Sequence, residues 1–197
     1  MKRFTLAALA FAIILVTGCA SKHMQNFTPS TAENSLTENQ SAVVFFRDTS
    51  FGGAIQAPIV EVVNGDIVLV GISSANTQIL HKTTPGKHVY ALGAGEDFNM
   101  LEADLAPGKF HYVRVSPKMG FMVARFKFEP VAMPEQERKN VSGLKFVALK
   151  PDSALWFGEN KTKMKTRIGS SVLQGDLAGE KDRAILMPTN GVDGLMR

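Results

Sequence analysis

Pro58-Ile59-Val60-Glu61-Val62-Val63-Asn64-Gly65-Asp66-Ile67-Val68-Leu69-Val70 places two β-branched runs on either side of an Asn-Gly pair. Asparagine and glycine tolerate the positive φ that a tight hairpin turn demands, so the stretch predicts strands over 59–63 and 67–70 reversing at 64–66. Pro58 suits the first position of a strand, where no ladder bond needs its missing N–H. The same grammar continues outward. Short apolar runs alternate with turn chemistry from residue 41 onward, the spacing of a small all-β sandwich. Residues 41–47, SAVVFFR, are apolar on both parities and predict a central strand covered on each side.

Two further turns share one sequence, Thr84-Pro85-Gly86-Lys87 and Ala106-Pro107-Gly108-Lys109, each followed by a β-rich run, 88–92 and 110–115. Proline fixes φ and glycine accepts the positive φ of a type II turn, so both are expected as hairpins. Residues 119–128 alternate, with Met122, Ala124, Phe126 and Phe128 on one side and Phe121, Val123, Arg125 and Lys127 on the other. A charged connection, EPVAMPEQERKN, precedes another apolar run at 144–149. Phe157, Lys161, Met164, Ile168 and Val172 then fall at helical spacing, predicting an amphipathic helix over 159–174 with Gly158 and Gly175 at its ends. Residues 179–197 carry one apolar cluster, 184–187, and read as an extended tail. The expected fold is mainly all-β: a small antiparallel β-sandwich with hairpins, one C-terminal amphipathic helix and that tail.

The chain has 197 residues, 45% of them hydrophobic and 20% charged, enough for one sizeable core. A single Cys excludes an internal disulfide framework, and the Gly and Pro counts exclude a fibre. Of the 22 Lys and Arg residues, Lys2 and Arg3 belong to a removable leader, leaving a slight excess over 18 acidic residues. That balance gives no argument for nucleic acid.

The leader is residues 1–18. A basic start is followed by an apolar run of 13 residues, 4–16. A membrane-spanning helix needs about 20, so the run fits a secretory signal and not a permanent span. The small residues Thr17 and Gly18 ahead of Cys19 resemble the lipobox of bacterial lipoproteins. The resemblance implies cleavage before Cys19, acylation of its sulfur and new amine, and, with Ala20 and Ser21 in place of an aspartate, sorting to the outer membrane. Residues 19–40 are rich in Ser, Thr, Asn and Gln and read as the acylated cysteine and a flexible tether. A coil of about 20 residues would hold the domain about 25 Å off the membrane. The β-sandwich is expected over 41–128, with an additional strand, helix and tail over 129–197 packed on it.

Laid end to end, Val44-Phe45-Phe46-Arg47, the Asn-Gly hairpin, Thr-Pro-Gly-Lys-His and Ala-Pro-Gly-Lys-Phe-His-Tyr-Val-Arg-Val resemble a domain-of-unknown-function family of bacterial envelope lipoproteins with a PEGA-like small β-sandwich. The likeness spans about residues 41–116. The family prefers a tyrosine before the arginine, where this chain has Phe46. The resemblance implies architecture and envelope location and supplies no catalytic constellation.

Candidate chemistry is sparse. Gly71-Ile72-Ser73-Ser74-Ala75 loosely resembles a nucleophile elbow but lacks the second glycine and the strand-to-helix context, so a hairpin-exit loop is favoured over a cryptic hydrolase. The histidines are His23, His81, His88 and His111. His81 and His88 flank the first Pro-Gly turn, and with Asp48 or Glu61 they have the residue types of a weak surface metal site; ordinary strand histidines are preferred, and no metal or cofactor is expected. An acylated Cys19 cannot act as a nucleophile. Lys161, Lys163, Lys165 and Arg167 form the densest basic run, either the solvated face of a helix or a surface for anionic headgroups or envelope polymer. Arg47 and Arg114, in apolar strands, need partners such as Asp48, Glu61 or Asp104.

These readings converge on a non-enzymatic outer-membrane lipoprotein facing the periplasm. Its sandwich serves as an interaction or scaffolding module, with the membrane and an envelope protein as partners and an oligomeric state that sequence does not specify. Exposed strand edges suit such binding without special side chains. Two alternatives stand beside it: a binding protein for an anionic envelope component, and an envelope hydrolase using Ser73 or Ser74.

Overall fold

The computed structural model of the protein describes residues 21–94, 97–119, 125–132, 135–173 and 183–195. The described strands are β1 (Met24–Asn26), β2 (Ser41–Arg47), β3 (Ala57–Val63), β4 (Asp66–Ser73), β5 (Thr77–Thr83), β6 (Gly86–Ala94), β7 (Asp97–Leu105), β8 (Phe110–Lys118), β9 (Arg125–Val131), β10 (Lys145–Leu149) and β11 (Ala184–Leu186). The helices are α1 (Glu135–Ser142), α2 (Ser153–Ile168) and the single turn α3 (Ser170–Leu173). One sheet has the order β1-β10-β5-β2-β8-β9, the other β11-β7-β6-β3-β4. The chain is mainly β.

Side-chain alternation builds the layers. Val43 and Phe45 of β2, Val113 and Val115 of β8 and Phe126 and Phe128 of β9 point inward, against Ile59, Tyr90, Leu92, Leu101 and Ala103 of the second sheet. Ala42, Val44 and Phe46 point the other way, where Val141 and Leu144 near α1, Leu36, Val192 and Leu195 cover them. The outer face of the second sheet presents Val60, Ile67, Ala91 and Met100 to Phe157, Met164, Ile168 and Val172. Both sheets are thus covered twice. β2 is the central strand its sequence predicts, buried at every residue between β5 and β8.

The Asn-Gly hairpin forms as expected: Asn64 and Gly65 take φ of 50° and 79°, and β3 pairs with β4 in antiparallel register. The two Pro-Gly turns are not hairpins. Gly86 and Gly108 do adopt positive φ, but β5 and β6 lie in different sheets, as do β7 and β8. Each turn carries the chain across the sandwich. Local turn chemistry dictates a reversal and leaves open which sheet receives the next strand.

Nor are the sheets purely antiparallel. β2 runs parallel to β8, β10 to β5 and β11 to β7. In each case much intervening chain supplies the crossover that parallel pairing requires. The Asn99 side chain then ties the sheets together, its Oδ1 accepting the Phe128 N–H at 2.7 Å.

Two expectations about the chain's flanks need correction. Residues 21–40 are not a free tether. β1 pairs with β10, Met24 opposite Leu149, and a short 3-10 turn at Thr31–Asn34 is held by Lys82 Nζ donating to Ala32 O at 3.0 Å and Ser35 O at 3.3 Å. Met24 supplies the apolar surface, and the polar composition hid it. The amphipathic helix starts at Ser153, not 159, because Ser153 N–H bonds Lys150 O and Leu155 N–H bonds Asp152 O just after Pro151. Gly158 consequently lies inside it, while Gly169, with φ of 88°, ends it; Gly175 lies outside the described residues. The C-terminal tail packs on the body: β11 extends the second sheet and Val192 exchanges two 2.9 Å backbone bonds with Phe110. The leader, Cys19 and Ala20, together with Phe121, Met122, Val123 and Ala124, lie outside the described residues.

Candidate functional site

Inward parity puts a carboxylate between the sheets. On β3, Ile59 enters the core and Glu61 follows two residues later on the same face. Glu61 sits opposite Tyr90 of β6 in the antiparallel register. His88 lies two residues from Tyr90 on that same face, and His81 approaches from β5 of the other sheet. His81 Nε2 bonds Glu61 Oε2 at 3.0 Å, and His88 Nδ1 bonds Glu61 Oε1 at 2.6 Å. The side chains of Glu61 and His88 are almost fully buried, that of His81 less so.

Protonation follows from the partners. His88 Nε2 contacts the Thr84 carbonyl at 2.9 Å. A carbonyl and a carboxylate only accept, so both ring nitrogens of His88 must donate and the ring is an imidazolium. The Glu61 hydrogen bond accordingly raises the His88 pKa against the opposing effect of burial. Burial alone would raise the Glu61 pKa, but hydrogen bonds from His81 and His88 outweigh it and hold the carboxyl down to about 2.

Tyr90 closes the cluster. Its ring meets His88 in a near-parallel stack at 6.1 Å, and meets His81 and Phe45 edge-on at 5.8 and 5.3 Å. Its hydroxyl is buried without a hydrogen-bond partner among the described residues. Burial, then the Glu61 charge, pushes the phenol well above its usual range. Beside the cluster lies a half-open cavity of about 470 Å³, lined by Glu61, His88, Lys87, Glu102 and Asn64 with three valines. Charges of both signs suit a small polar occupant there.

Of the three histidines near the Pro-Gly turns, two converge. His81 and His111 both sit beside Val43, on opposite flanks of β2. His111 nonetheless stays apart: the Ala106 N–H donates to its Nε2 at 3.1 Å, so the ring is neutral and carries its proton on Nδ1. Burial lowers its pKa to about 4, against the pull of Asp104. No group of three His, Cys, Asp or Glu among the described residues is arranged to hold a metal ion. The reason is visible at Glu61, where each imidazole directs an N–H onto a carboxylate oxygen.

The basic run divides. Lys161 Nζ meets Asp66 Oδ2 at 2.6 Å and Lys165 Nζ meets Asp66 Oδ1 at 3.0 Å, so two of its four charges clamp α2 onto the β3–β4 turn. The Lys161 bond, foremost, holds the Asp66 pKa far below the carboxylate range. Lys163 and Arg167 are exposed, Arg167 lying over the Phe98 ring at 4.8 Å.

Arg114 pairs with Asp48 at 3.2 Å and also with Glu137 of α1. Arg47 contradicts the expectation of a carboxylate partner. Fully buried, it donates instead to the carbonyls of Ile55 and Phe51, at 2.9 and 2.8 Å, and lies over the Phe126 ring at 4.9 Å. The arginine bolts the loop between β2 and β3 to the core.

Ser73 and Ser74 are buried, and neither hydroxyl has a hydrogen-bond partner among the described residues. His81 and His88 are committed to Glu61, His111 to Ala106, and His23 stacks on Trp156 at 4.8 Å. No described histidine hydrogen-bonds either serine. Sequence reasoning missed Tyr90, Asp66 and the cavity; an acid at an inward position, Glu61 between Ile59 and Val63, was the available signal. No helix among the described residues is long and apolar enough to cross a membrane. Compared with known proteins, the chain matches no family model and no curated sequence.

Proposed function

We propose that the chain is a lipid-anchored envelope protein, acylated at Cys19 and held on the periplasmic face of the outer membrane, whose β-sandwich is a non-enzymatic interaction or scaffolding module. One observation carries this reading: a 13-residue apolar run closes on Val16-Thr17-Gly18-Cys19, a few residues ahead of the strand Met24–Asn26. The run is too short to span a bilayer and suits a cleaved export signal. Several acyl chains on one cysteine make attachment effectively permanent, because each buried CH₂ contributes about 0.8 kcal/mol.

The site between the sheets supports a module without catalysis. Glu61 spends both oxygens on histidines, and a carboxyl held near 2 is a poor base at neutral pH. The resemblance of residues 41–116 to envelope lipoproteins of PEGA-like architecture points the same way. Labelled palmitate tests the anchor: the wild type takes up label and fractionates with membranes, and a Cys19→Ala chain still carrying label would overturn the assignment.

A further inference from the structure

We infer that the body rests directly on the bilayer, with the surface made by the start of β1 and the corner between β10 and α2 against the lipid headgroups; this rests on the acylation of Cys19 proposed above. Cys19 is two residues ahead of Ser21. Bond lengths alone keep its Cα within about 7 Å of that of Ser21, whatever path the chain takes.

Ser21 is itself fixed to the body. It is 2% exposed, its carbonyl accepts the Met24 N–H at 3.0 Å, and its hydroxyl accepts the His23 N–H at 3.3 Å. Lys150 then grips the same segment twice, Nζ donating to Lys22 O at 2.7 Å and the backbone N–H to His23 O at 2.9 Å. His23 stacks on Trp156, and Met24 enters the sheet. An anchor rooted so close leaves no room for a stand-off, so the surface around Ser21 must lie at the membrane.

The residues there suit a lipid interface. Lys22 is exposed and Lys150 holds its ammonium beside it, which favours anionic phosphates. Leu155, in the first turn of α2 and next to Trp156, is 75% exposed, and Pro151 and Ala154 are exposed around it. The acids near this corner are Asp152 and, one turn beyond Leu155 along α2, the exposed Glu159. An apolar side chain beside lysines is the pattern of an interfacial contact.

Trp156 is the only tryptophan in the chain and reports on this corner. The full chain, expressed with its leader and purified in detergent, is reconstituted in vesicles of phosphatidylethanolamine and phosphatidylglycerol, with and without bromine on the acyl chains. Wild-type protein floats with the vesicles, and bromine quenches Trp156. Leu155→Glu, at an exposed position, still floats and keeps its melting temperature, while quenching falls by about half; Lys22→Glu acts in the same direction. A wild type that floats with unquenched Trp156 would overturn the inference while leaving acylation intact, and would assign Leu155 to a protein partner. A wild type that does not float overturns the acylation and this surface with it.

Discussion

His88 Nδ1 lies 2.6 Å from Glu61 Oε1 while the opposite nitrogen of the same ring lies 2.9 Å from Thr84 O. One imidazolium therefore joins the middle of β3 to the Pro-Gly corner that carries the chain between sheets. Replacing Glu61 by Gln leaves a buried cation without its counter-charge. The expected result is a loss of about 3 kcal/mol in urea unfolding, together with a fall in the His88 pKa toward its ordinary value. Ring-proton titration by NMR follows the second effect. An unchanged His88 titration in Glu61→Gln would contradict the assigned ion pair.

Stability responds to pH in opposite senses on the two sides of neutrality. Glu61 is held at about 2, below its ordinary 4.5, so its contribution is complete above about pH 4.5 and disappears as pH falls toward 2. His111 is lowered from 6.5 to about 4, so the unfolded chain takes up a proton first and stability falls as pH drops from 6.5 to 4, by about 3 kcal/mol. His88 is raised above 6.5, so its contribution is full below 6.5 and is lost as pH rises through the folded value. Melting temperature against pH should peak near 6.5, and His111→Asn should flatten the segment between 4 and 6.5. An unaltered slope in that variant would show that His111 is not the group responsible.

Gly65 tests the hairpin. With φ of 79° it occupies a conformation that a Cβ disfavours, and the space around it is nearly open, Leu173 O being 4.0 Å from the point a methyl group would occupy. Gly65→Ala should lower stability by about 1 kcal/mol through backbone strain alone. Circular-dichroism melts measure this. A neutral or stabilising substitution would mean that the turn is not of the positive-φ kind.

The docked N-terminal segment makes its own prediction. Met24 is buried against Leu149 and His23 covers Trp156. Met24→Ala should cost about 2 kcal/mol by cavity formation, and Met24→Asp should detach β1 and raise iodide quenching of Trp156. Iodide access equal to wild type in Met24→Asp would mean that β1 contributes nothing to covering the ring.

Much of the framework is written in local signals. Asn64-Gly65 marks its hairpin because few residue pairs accept two successive positive φ values, and SAVVFFR declares a strand buried on both faces. Pairing between distant segments has no such mark. Pro85-Gly86 and Pro107-Gly108 specify turns equally well within or between sheets, and the parallel neighbours β2 and β8 are brought together by the whole core. α1 was hidden because EQERKN reads as a charged connection until Val141 is seen against Phe46 and Tyr112. β1 was hidden by its polar neighbours, one buried methionine being too little periodicity to read. At the site, His81 and His88 were visible as neighbours of one turn, but Tyr90 was one residue of the run 88–92 and Asp66 one residue of a turn. Their roles depend on which sheet faces which.

Intact mass spectrometry of the protein extracted from membranes bears most directly on the account. The expected species begins at Cys19 and carries the added mass of a diacylglyceryl thioether and an amide-linked acyl chain. A chain that retains residues 1–18 and bears no lipid mass would contradict it.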